Sequence, residues 1–351
     1  MSESADGNSV APLSKQPRRS VLILARILTA LVSGAAAEGM LWIEGYPSWW
    51  AMDPNMGRIT PEYQCDQDLG WSARAGSVVF SWPDRPGPIR VTNWSGGRRA
   101  TSEQEQGQPN RPRVFFFGDS YIQGYGLADM DTLPWMVQKR HPEMEVANYG
   151  AGLYGTYQSY LAMAKRVHGP ATVYYLFNGF HEGRNAAEPA FLRVMNRPPQ
   201  GCFYPYPQPS GGELKPGRSQ GEVVWFLSRH LRIVALVQEY KQIIESYWRV
   251  RNKRRTTEML LVKMNELVSA QGGNFTVILF DLDPEERNHY RDFLRAQGIN
   301  AVDCDRPEMK DTSLRQADRH PGGKLNALLA EWIEPVAATA PRTVSDTRDH
   351  R

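Results

Sequence analysis

Short apolar runs that alternate with stretches of helical pattern constrain this chain more than any other feature. Three runs of strand type, RVFFF, EVANY and TVYYLF, start at Arg113, Glu145 and Thr172, and two more, NFTVILF and INAVDC, start at Asn274 and Ile299. Strands that alternate with helices predict an α/β fold, a three-layer α/β/α sandwich around a parallel sheet. In such sheets ligands bind beyond the carboxyl ends of the strands, so we look there for chemistry.

One segment, residues 20–44, is apolar enough to cross a membrane. It contains the run VLILARILTALVSGAAA, and Arg18 and Arg19 stand just before that run. A spanning helix needs about 20 mostly apolar residues, and flanking basic residues hold that end in the cytoplasm. Arg26 interrupts the run near the cytoplasmic end, where its long side chain can reach the headgroups. The mean hydropathy of the whole chain is −0.51, so we expect no further spanning segments.

Three interpretations of this segment stay open. We favour an uncleaved signal-anchor, which makes the membrane a partner through the N-terminal helix. A cleaved signal peptide is the alternative, because Ala35–Ala37 offers a small-residue cleavage site and the protein would then be secreted. A buried core helix is the third. The first two place the main domain outside the cytoplasm, in the periplasm if the source is bacterial, where Cys65, Cys202 and Cys304 could form one disulfide of undetermined pairing.

The remaining regions complete a predicted domain organisation. We expect a cytoplasmic tail at residues 1–19, an irregular lead-in and linker at 45–112, a globular domain at 113–335 with an insertion at 197–271, and a disordered tail at 336–351. The lead-in contains two strand-like pieces, SVVFSW and IRVTNW. Residues 197–221 carry six Pro and five Gly, which excludes a helix or a central strand there. One or two amphipathic helices follow, broken near the basic run RVRNKRR.

Charge and histidine spacing exclude two classes of function. The formal net charge of +3 is too small to indicate a nucleic-acid partner. The seven histidines are scattered, without a His-x-x-x-His pair, and there is no Cys-x-x-Cys. We therefore expect no metal and no cofactor.

The chemistry-bearing motif is Gly118-Asp119-Ser120, at the end of the first strand. A serine there lies at the carboxyl edge of the sheet, although the same residues could simply cap the next helix. A serine nucleophile needs a base, and Asp318-Arg319-His320-Pro321 stands just before the closing helix. Histidine suits that role at neutral pH, and a nearby carboxylate orients it.

Three blocks together resemble the SGNH/GDSL hydrolase family. FFFGDSYIQGYG resembles the first family block, NYGAGLYGTYQ the second and DRHP the last, over roughly residues 113–334. The resemblance implies a flavodoxin-like fold, with Ser120 as the nucleophile, His320 as the base and Asp318 as the orienting acid. It departs from the family in that the acid usually stands three residues before the histidine, where this chain has Ala317.

The resemblance also implies an oxyanion hole. Its donors would be the N–H groups of Ser120 and of Gly152 or Leu153, with the Asn178 amide as a further candidate. The third block is altered, since it reads LFNGFHEGRN instead of ending in Asn-Asp. His181 and Arg184 within it are candidates to hold substrate or the loop.

A rival motif lies in the second block. Residues 150–155 fit G-x-G-x-x-G between a strand and a helix, the dinucleotide fingerprint. That fingerprint follows the first strand of its domain and needs an acid at the end of the next strand, and neither condition holds here. The pattern G-x-S-x-G of the ordinary α/β-hydrolases is absent.

We therefore predict an enzyme, a serine esterase that hydrolyses carboxylic O-acyl esters, with a small-molecule or glycan ester as substrate and lipids as a further candidate. One alternative is an acyltransferase that modifies an exported polysaccharide with the same site. Another is a non-catalytic family member that binds glycan or partners, which the altered third block and the aromatic, Pro-rich insertion would suit.

Overall fold

The computed structural model describes residues 19–47, 62–81, 87–105, 111–195, 202–218, 226–227 and 230–333. The predicted cytoplasmic tail before Arg19, the predicted disordered tail at 336–351, and parts of the lead-in and the insertion lie outside the described residues.

The described strands are β1 Tyr63–Asp66, β2 Gly70–Ala73, β3 Gly76–Ser81, β4 Pro88–Trp94, β5 Arg98–Arg99, β6 Arg113–Phe117, β7 Glu145–Asn148, β8 Thr172–Phe177, β9 Pro205–Ser210, β10 Glu213–Arg218, β11 Asn274–Leu279 and β12 Asn300–Asp303. The α-helices are α1 Arg19–Ile43, α2 Ser120–Gln123, α3 Leu133–Arg140, α4 Thr156–Arg166, α5 Phe180–Asn185, α6 Pro189–Met195, α7 Arg232–Arg251, α8 Lys253–Ala270, α9 Pro284–Ala296 and α10 Gly323–Trp332. Short 3₁₀ turns occupy Asp129–Asp131, Pro307–Lys310 and Thr312–Leu314.

An eight-stranded sheet in the order β12-β11-β8-β6-β7-β5-β4-β3 forms the centre of the molecule. The five strands from β12 to β7 are parallel. Counted along the chain from β6, their order is 2-1-3-4-5, the flavodoxin-like arrangement. The switch point of this order lies between β6 and β8, so the residues that follow those two strands share one crevice.

Two separate cores cover the two faces of the sheet, because side chains alternate along each strand. Phe115 and Phe117 belong to a core with helices α4, α8 and α9, whereas Val114 and Phe116 belong to a core with helices α3 and α10. Each fully buried Phe contributes about 1.5–3 kcal/mol, so both faces of the sheet are held firmly. The predicted α/β class and three-layer sandwich are confirmed.

The lead-in is more ordered than the expected irregular segment, and this part of the prediction is corrected. The strand-like pieces SVVFSW and IRVTNW fall in β3 and β4, which pair antiparallel. Strand β5 then joins β4 to β7 through Arg99 and Asn148, so the lead-in extends the parallel sheet by three antiparallel strands. The strand pattern of these pieces was visible in the sequence, but their pairing with the central sheet was not, because it forms with β7 elsewhere in the chain.

The predicted insertion at 197–271 contains elements that pack in two different ways. Its Pro-rich part forms the separate hairpin β9–β10, and α7 follows with an outward apolar face that includes Ile244 and Trp248. In helix α8, by contrast, Leu261 and Met264 are fully buried in the main core, and the helix leads directly into β11. Helix α8 therefore packs as a crossover helix of the sandwich.

A disulfide fastens the lead-in to the hairpin segment. Cys65 in β1 bonds to Cys202, 137 residues further along the chain, and Cys304 is left as a buried free thiol. Helix α1 spans 25 residues, has no buried residue, and is long and apolar enough to cross a membrane. A helix of this kind could act as a membrane anchor or as a signal sequence.

Candidate active site

The turn after β6 places Ser120 at the carboxyl edge of the sheet. Gly118 has φ +156°, and a Cβ there would lie 2.8 Å from the Ile122 Cγ1 atom, so the position needs glycine. Asp119 caps α2 by accepting a hydrogen bond from Tyr121 N at 3.0 Å. Ser120 opens the helix and keeps 8% of its surface exposed. The motif therefore serves both predicted purposes at once: Asp119 caps the helix, and Ser120 lies at the edge of the sheet.

His320 meets Ser120 across 200 residues of sequence. Its Nε2 atom lies 2.9 Å from Ser120 Oγ, within hydrogen-bond distance. The ring packs edge-on to Tyr121 at 5.1 Å and against Tyr125 at 4.9 Å between centroids. In the tautomer that carries its proton on Nδ1, Nε2 can accept the serine proton. The two residues thus have the separation that a serine nucleophile and its base would need.

The loop that carries His320 is fixed by its own hydrogen bonds. Gln316 N donates to His320 O at 2.8 Å, and the Gln316 side chain donates to Tyr125 O at 2.8 Å. Arg315 bridges Asp281, just after β11, to the Arg319 carbonyl. The imidazole is consequently held against α2 by contacts from both sides.

Asp318 lies beside His320, but it is a loose partner. Its Oδ1 accepts a hydrogen bond from His320 N and is 3.1 Å from Nδ1, an ionic contact whose geometry falls short of a hydrogen bond. The carboxylate side chain is 41% exposed. Solvent screening weakens such a contact, so Asp318 orients the imidazole less firmly than a buried acid would.

The predicted backbone donors surround the same turn. Ala151 N donates to Gly118 O at 3.2 Å, and a Cβ on Gly150 would lie 2.4 Å from Gln123 N, so the second block crosses directly over α2. Leu153 has φ +66° and is 38% exposed. The N–H of Gly152 donates to the hydroxyl of Tyr63 at 2.7 Å.

Close packing therefore explains the glycines of the rival dinucleotide motif. Gly150 lies on the nucleophile turn, and a Cβ on Gly155 would lie 2.9 Å from Asn185 Oδ1. Both positions are occupied by protein contacts where a nucleotide would need room for a phosphate.

The Asn178 side chain contacts the turn that carries Ser120. Its Nδ2 donates to Asp119 Oδ2 at 2.9 Å, and its Oδ1 accepts from Phe180 N at 3.1 Å. The side chain is fully buried. An amide nitrogen carries two N–H groups, so this bond supports the turn beneath Ser120 while the oxyanion role of Asn178 stays a prediction.

His181 and Arg184 also contact the turn that carries Ser120. Arg184 Nη1 donates to Asp119 Oδ2 and to Tyr154 O, each at 2.8 Å. His181 is fully buried, with Nε2 at 3.4 Å from Asp119 Oδ2 and Nδ1 at 2.7 Å from Tyr175 Oη. Of the two roles predicted for these residues, holding the substrate or holding the loop, these contacts correspond to the second.

The charges of this buried network shift two pKa values. Burial alone would raise the pKa of Asp119, but contact with His181 and the charge of Arg184 outweigh it and lower that pKa well below its usual range. Burial lowers the pKa of His181 despite the Asp119 carboxylate beside it. The nucleophile turn thus rests on an ionised aspartate, an arginine and a neutral histidine.

Two residues of the lead-in complete the site, and motif reasoning missed both. Arg99, 1% exposed, donates to the carbonyls of Gln123, Gly124 and Leu127 at 2.6–2.7 Å and so caps the C-terminal end of α2. Tyr63 is 9% exposed and reaches Gly152. Neither lies in the three blocks. Arg99 is placed by the pairing of β5 with β7, whereas Tyr63 stands in β1, which pairs with β2 in a separate two-stranded sheet.

Comparisons with known proteins found similar solved structures. No family model and no curated protein matches the chain. Among solved structures, a G-D-S-L lipolytic protein from Veillonella parvula matches with a TM-score of 0.36 and 13% identity, over 63% of this chain and 94% of that one. A putative lipolytic protein of the same family from Desulfitobacterium hafniense matches with a TM-score of 0.33 and 13% identity, over 63% and 97%.

The chain is similar to lipolytic proteins of the G-D-S-L family. Within the described parts of the chain, no group of three or more His, Cys, Asp or Glu side chains is placed to hold a metal ion.

Proposed function

We propose that this protein is a serine esterase that hydrolyses carboxylic O-acyl esters. The single observation that carries the proposal is the 2.9 Å separation of Ser120 Oγ and His320 Nε2 at the carboxyl edge of the sheet. A hydroxyl is a weak nucleophile until a base removes its proton, and this arrangement supplies that base.

The reaction follows from the contacts at the turn. Ser120 Oγ attacks the ester carbonyl carbon while His320 Nε2 takes the hydroxyl proton. The carbonyl electron pair moves onto oxygen, and N–H groups at the turn stabilise that charge. The tetrahedral intermediate collapses, the alcohol leaves with the proton from His320, and water then releases the acyl group by the same steps.

We also propose that α1 anchors the domain to a membrane, with the catalytic domain outside the cytoplasm. Support comes from the length and exposure of α1, and from the disulfide between Cys65 and Cys202, since disulfides persist in oxidising compartments. The substrate would then be an ester on an exported glycan or a lipid.

Turnover of a short-chain aryl ester tests the enzyme. We expect wild-type protein to release the phenol and Ser120→Ala to fall to the level of the buffer. Equal rates for the two proteins would refute the proposal. An added sugar acceptor provides a second arm, because acylated sugar in place of free acid would identify a transferase that uses the same residues.

A further inference from the structure

The hydroxyl of Tyr63 accepts a hydrogen bond from one of the predicted oxyanion donors. Gly152 was a predicted donor, yet its N–H points at Tyr63 Oη, 2.7 Å away. A Cβ built on Gly152 would lie 3.0 Å from that oxygen, so the phenol lies directly against the segment that crosses α2. With the Gly152 N–H engaged in this way, the donor presented to the substrate at this point is the phenol.

The position of Tyr63 is fixed by the packing of its ring and by the strand in which it stands. Its ring packs in the main core with Trp71 and Tyr154, and it stands in β1, which pairs with β2. The disulfide at Cys65, two residues further on, ties the same strand to the segment before β9. A substrate therefore meets this hydroxyl in place and does not displace it.

The hydroxyl has a proton to donate. Its oxygen already accepts from Gly152 N, and among the described residues no acceptor is recorded for its own O–H. Burial raises the pKa of Tyr63 well above its usual value, so the phenol stays protonated at physiological pH.

We propose that Tyr63, supplied by the lead-in strand β1, is an oxyanion-stabilising catalytic residue. This inference rests on the proposed esterase function. When Ser120 Oγ bonds to the carbonyl carbon and His320 takes the proton, the carbonyl oxygen gains the electron pair. The Tyr63 O–H donates a hydrogen bond to that oxygen without giving up its proton, and Gly152 N–H polarises the phenol from behind. The lead-in thereby becomes part of the catalytic unit.

Tyr63→Phe tests this directly, because the substitution keeps the ring and removes only the hydroxyl. Losing one oxyanion donor lowers kcat by about 10²–10³-fold, and here we expect about 10²-fold since the freed Gly152 N–H partly substitutes. KM for the aryl ester should stay within about twofold, because the contact forms in the transition state. A kcat equal to or above that of wild type would overturn the inference, since Tyr63 would then only block Gly152.

Tyr154→Phe is the matched control. Its hydroxyl also joins the domain to the lead-in, by donating to the Trp71 carbonyl, but it has no place at the oxyanion position. We expect its kcat to stay near that of wild type. An equal loss in both variants would mean that any loosening of the lead-in lowers activity, and the inference would fail.

A thionoester substrate adds a readout that a purely structural role would not change. Sulfur accepts hydrogen bonds poorly, so wild type should strongly prefer the ester, and Tyr63→Phe should reduce that preference. An unchanged ester-to-thionoester ratio would overturn the inference. If wild type itself matches Ser120→Ala on the ester, the proposed function fails and Tyr63 falls with it, whereas an active wild type with an unaffected Tyr63→Phe refutes Tyr63 alone.

Discussion

His320 Nε2 and Ser120 Oγ lie 2.9 Å apart although 200 residues separate them in sequence. The parallel sheet explains this proximity. Ser120 follows β6, and His320 follows the last strand of the sheet in a loop held by Arg315 and Gln316. Because the carboxyl ends of parallel strands share one edge, both residues reach the same side of the molecule.

Unequal roles for His320, which contacts Ser120, and Asp318, which contacts His320, give the first prediction. His320→Asn should lower kcat by about 10⁴–10⁶-fold, since no other base contacts Ser120 Oγ among the described residues. Asp318→Asn should cost only about tenfold, because the carboxylate is 41% exposed and poorly aligned with Nδ1. Asp311→Asn, in an exposed turn of the same region, is the control. Equal losses in the first two variants would show that Asp318 is a full triad member.

Ionised Asp119 gives a pH-dependent prediction. Its folded pKa is lowered, so its contribution is fully present above the unfolded value of about 3.9 and is lost as pH falls from there toward the lower folded value. Asp119→Asn should therefore cost about 3–5 kcal/mol of unfolding free energy at pH 7, and less as pH falls below about 4. Denaturant unfolding at several pH values measures this, with the exposed Asp292→Asn as control. A difference that stays constant with pH would contradict the prediction.

Comparing Gly118→Ala with Gly298→Ala separates the effect of a steric clash from that of backbone strain. Gly118 and Gly298 both have positive φ, but a Cβ on Gly118 would lie 2.8 Å from Ile122 Cγ1, whereas Gly298 faces open space. We expect Gly298→Ala to cost about 1–2 kcal/mol of stability and no activity. Gly118→Ala should cost more and lower kcat, because relief of the contact moves α2 and with it Ser120. Equal destabilisation with retained kcat in both variants would rule out this account of the turn.

Removal of the disulfide should destabilise the lead-in. The cross-link closes a span of 137 residues, for which chain-entropy arguments give about 3–5 kcal/mol. Reductant should lower the thermal midpoint of wild type and of Cys304→Ala alike, and leave the Cys65→Ala/Cys202→Ala double variant unchanged. If Cys304→Ala were the variant that lost its response to reductant, the pairing would be wrong.

The sequence predicted the sandwich well because its strands are short, almost wholly apolar runs that alternate with helical stretches. TVYYLF and RVFFF are buried almost throughout, and such runs between helices are typical of a parallel sheet covered on both faces. Ser120 and His320 were found for a related reason, since each stands next to a clear element boundary. The α/β class therefore followed from local patterns alone.

The lead-in and the third block could not be predicted in the same way. Tyr63 contacts Gly152 across 89 residues of sequence and Arg99 contacts Gln123 across 24, and no spacing rule reports either contact. Asn178, His181 and Arg184 have residue types suited to binding a substrate. In the structure all three contact the buried Asp119 carboxylate. A buried carboxylate needs hydrogen-bond donors, and the sequence does not show that Asp119 is buried.

Covalent labelling with a fluorophosphonate probe tests the central claim most directly. The Ser120 oxygen would displace fluoride and form a bond to phosphorus, provided that His320 activates it. We predict that mass spectrometry finds the adduct on Ser120, that Ser313→Ala labels like wild type, and that Ser120→Ala and His320→Asn do not label. Labelling of Ser120→Ala at the wild-type rate would contradict the account.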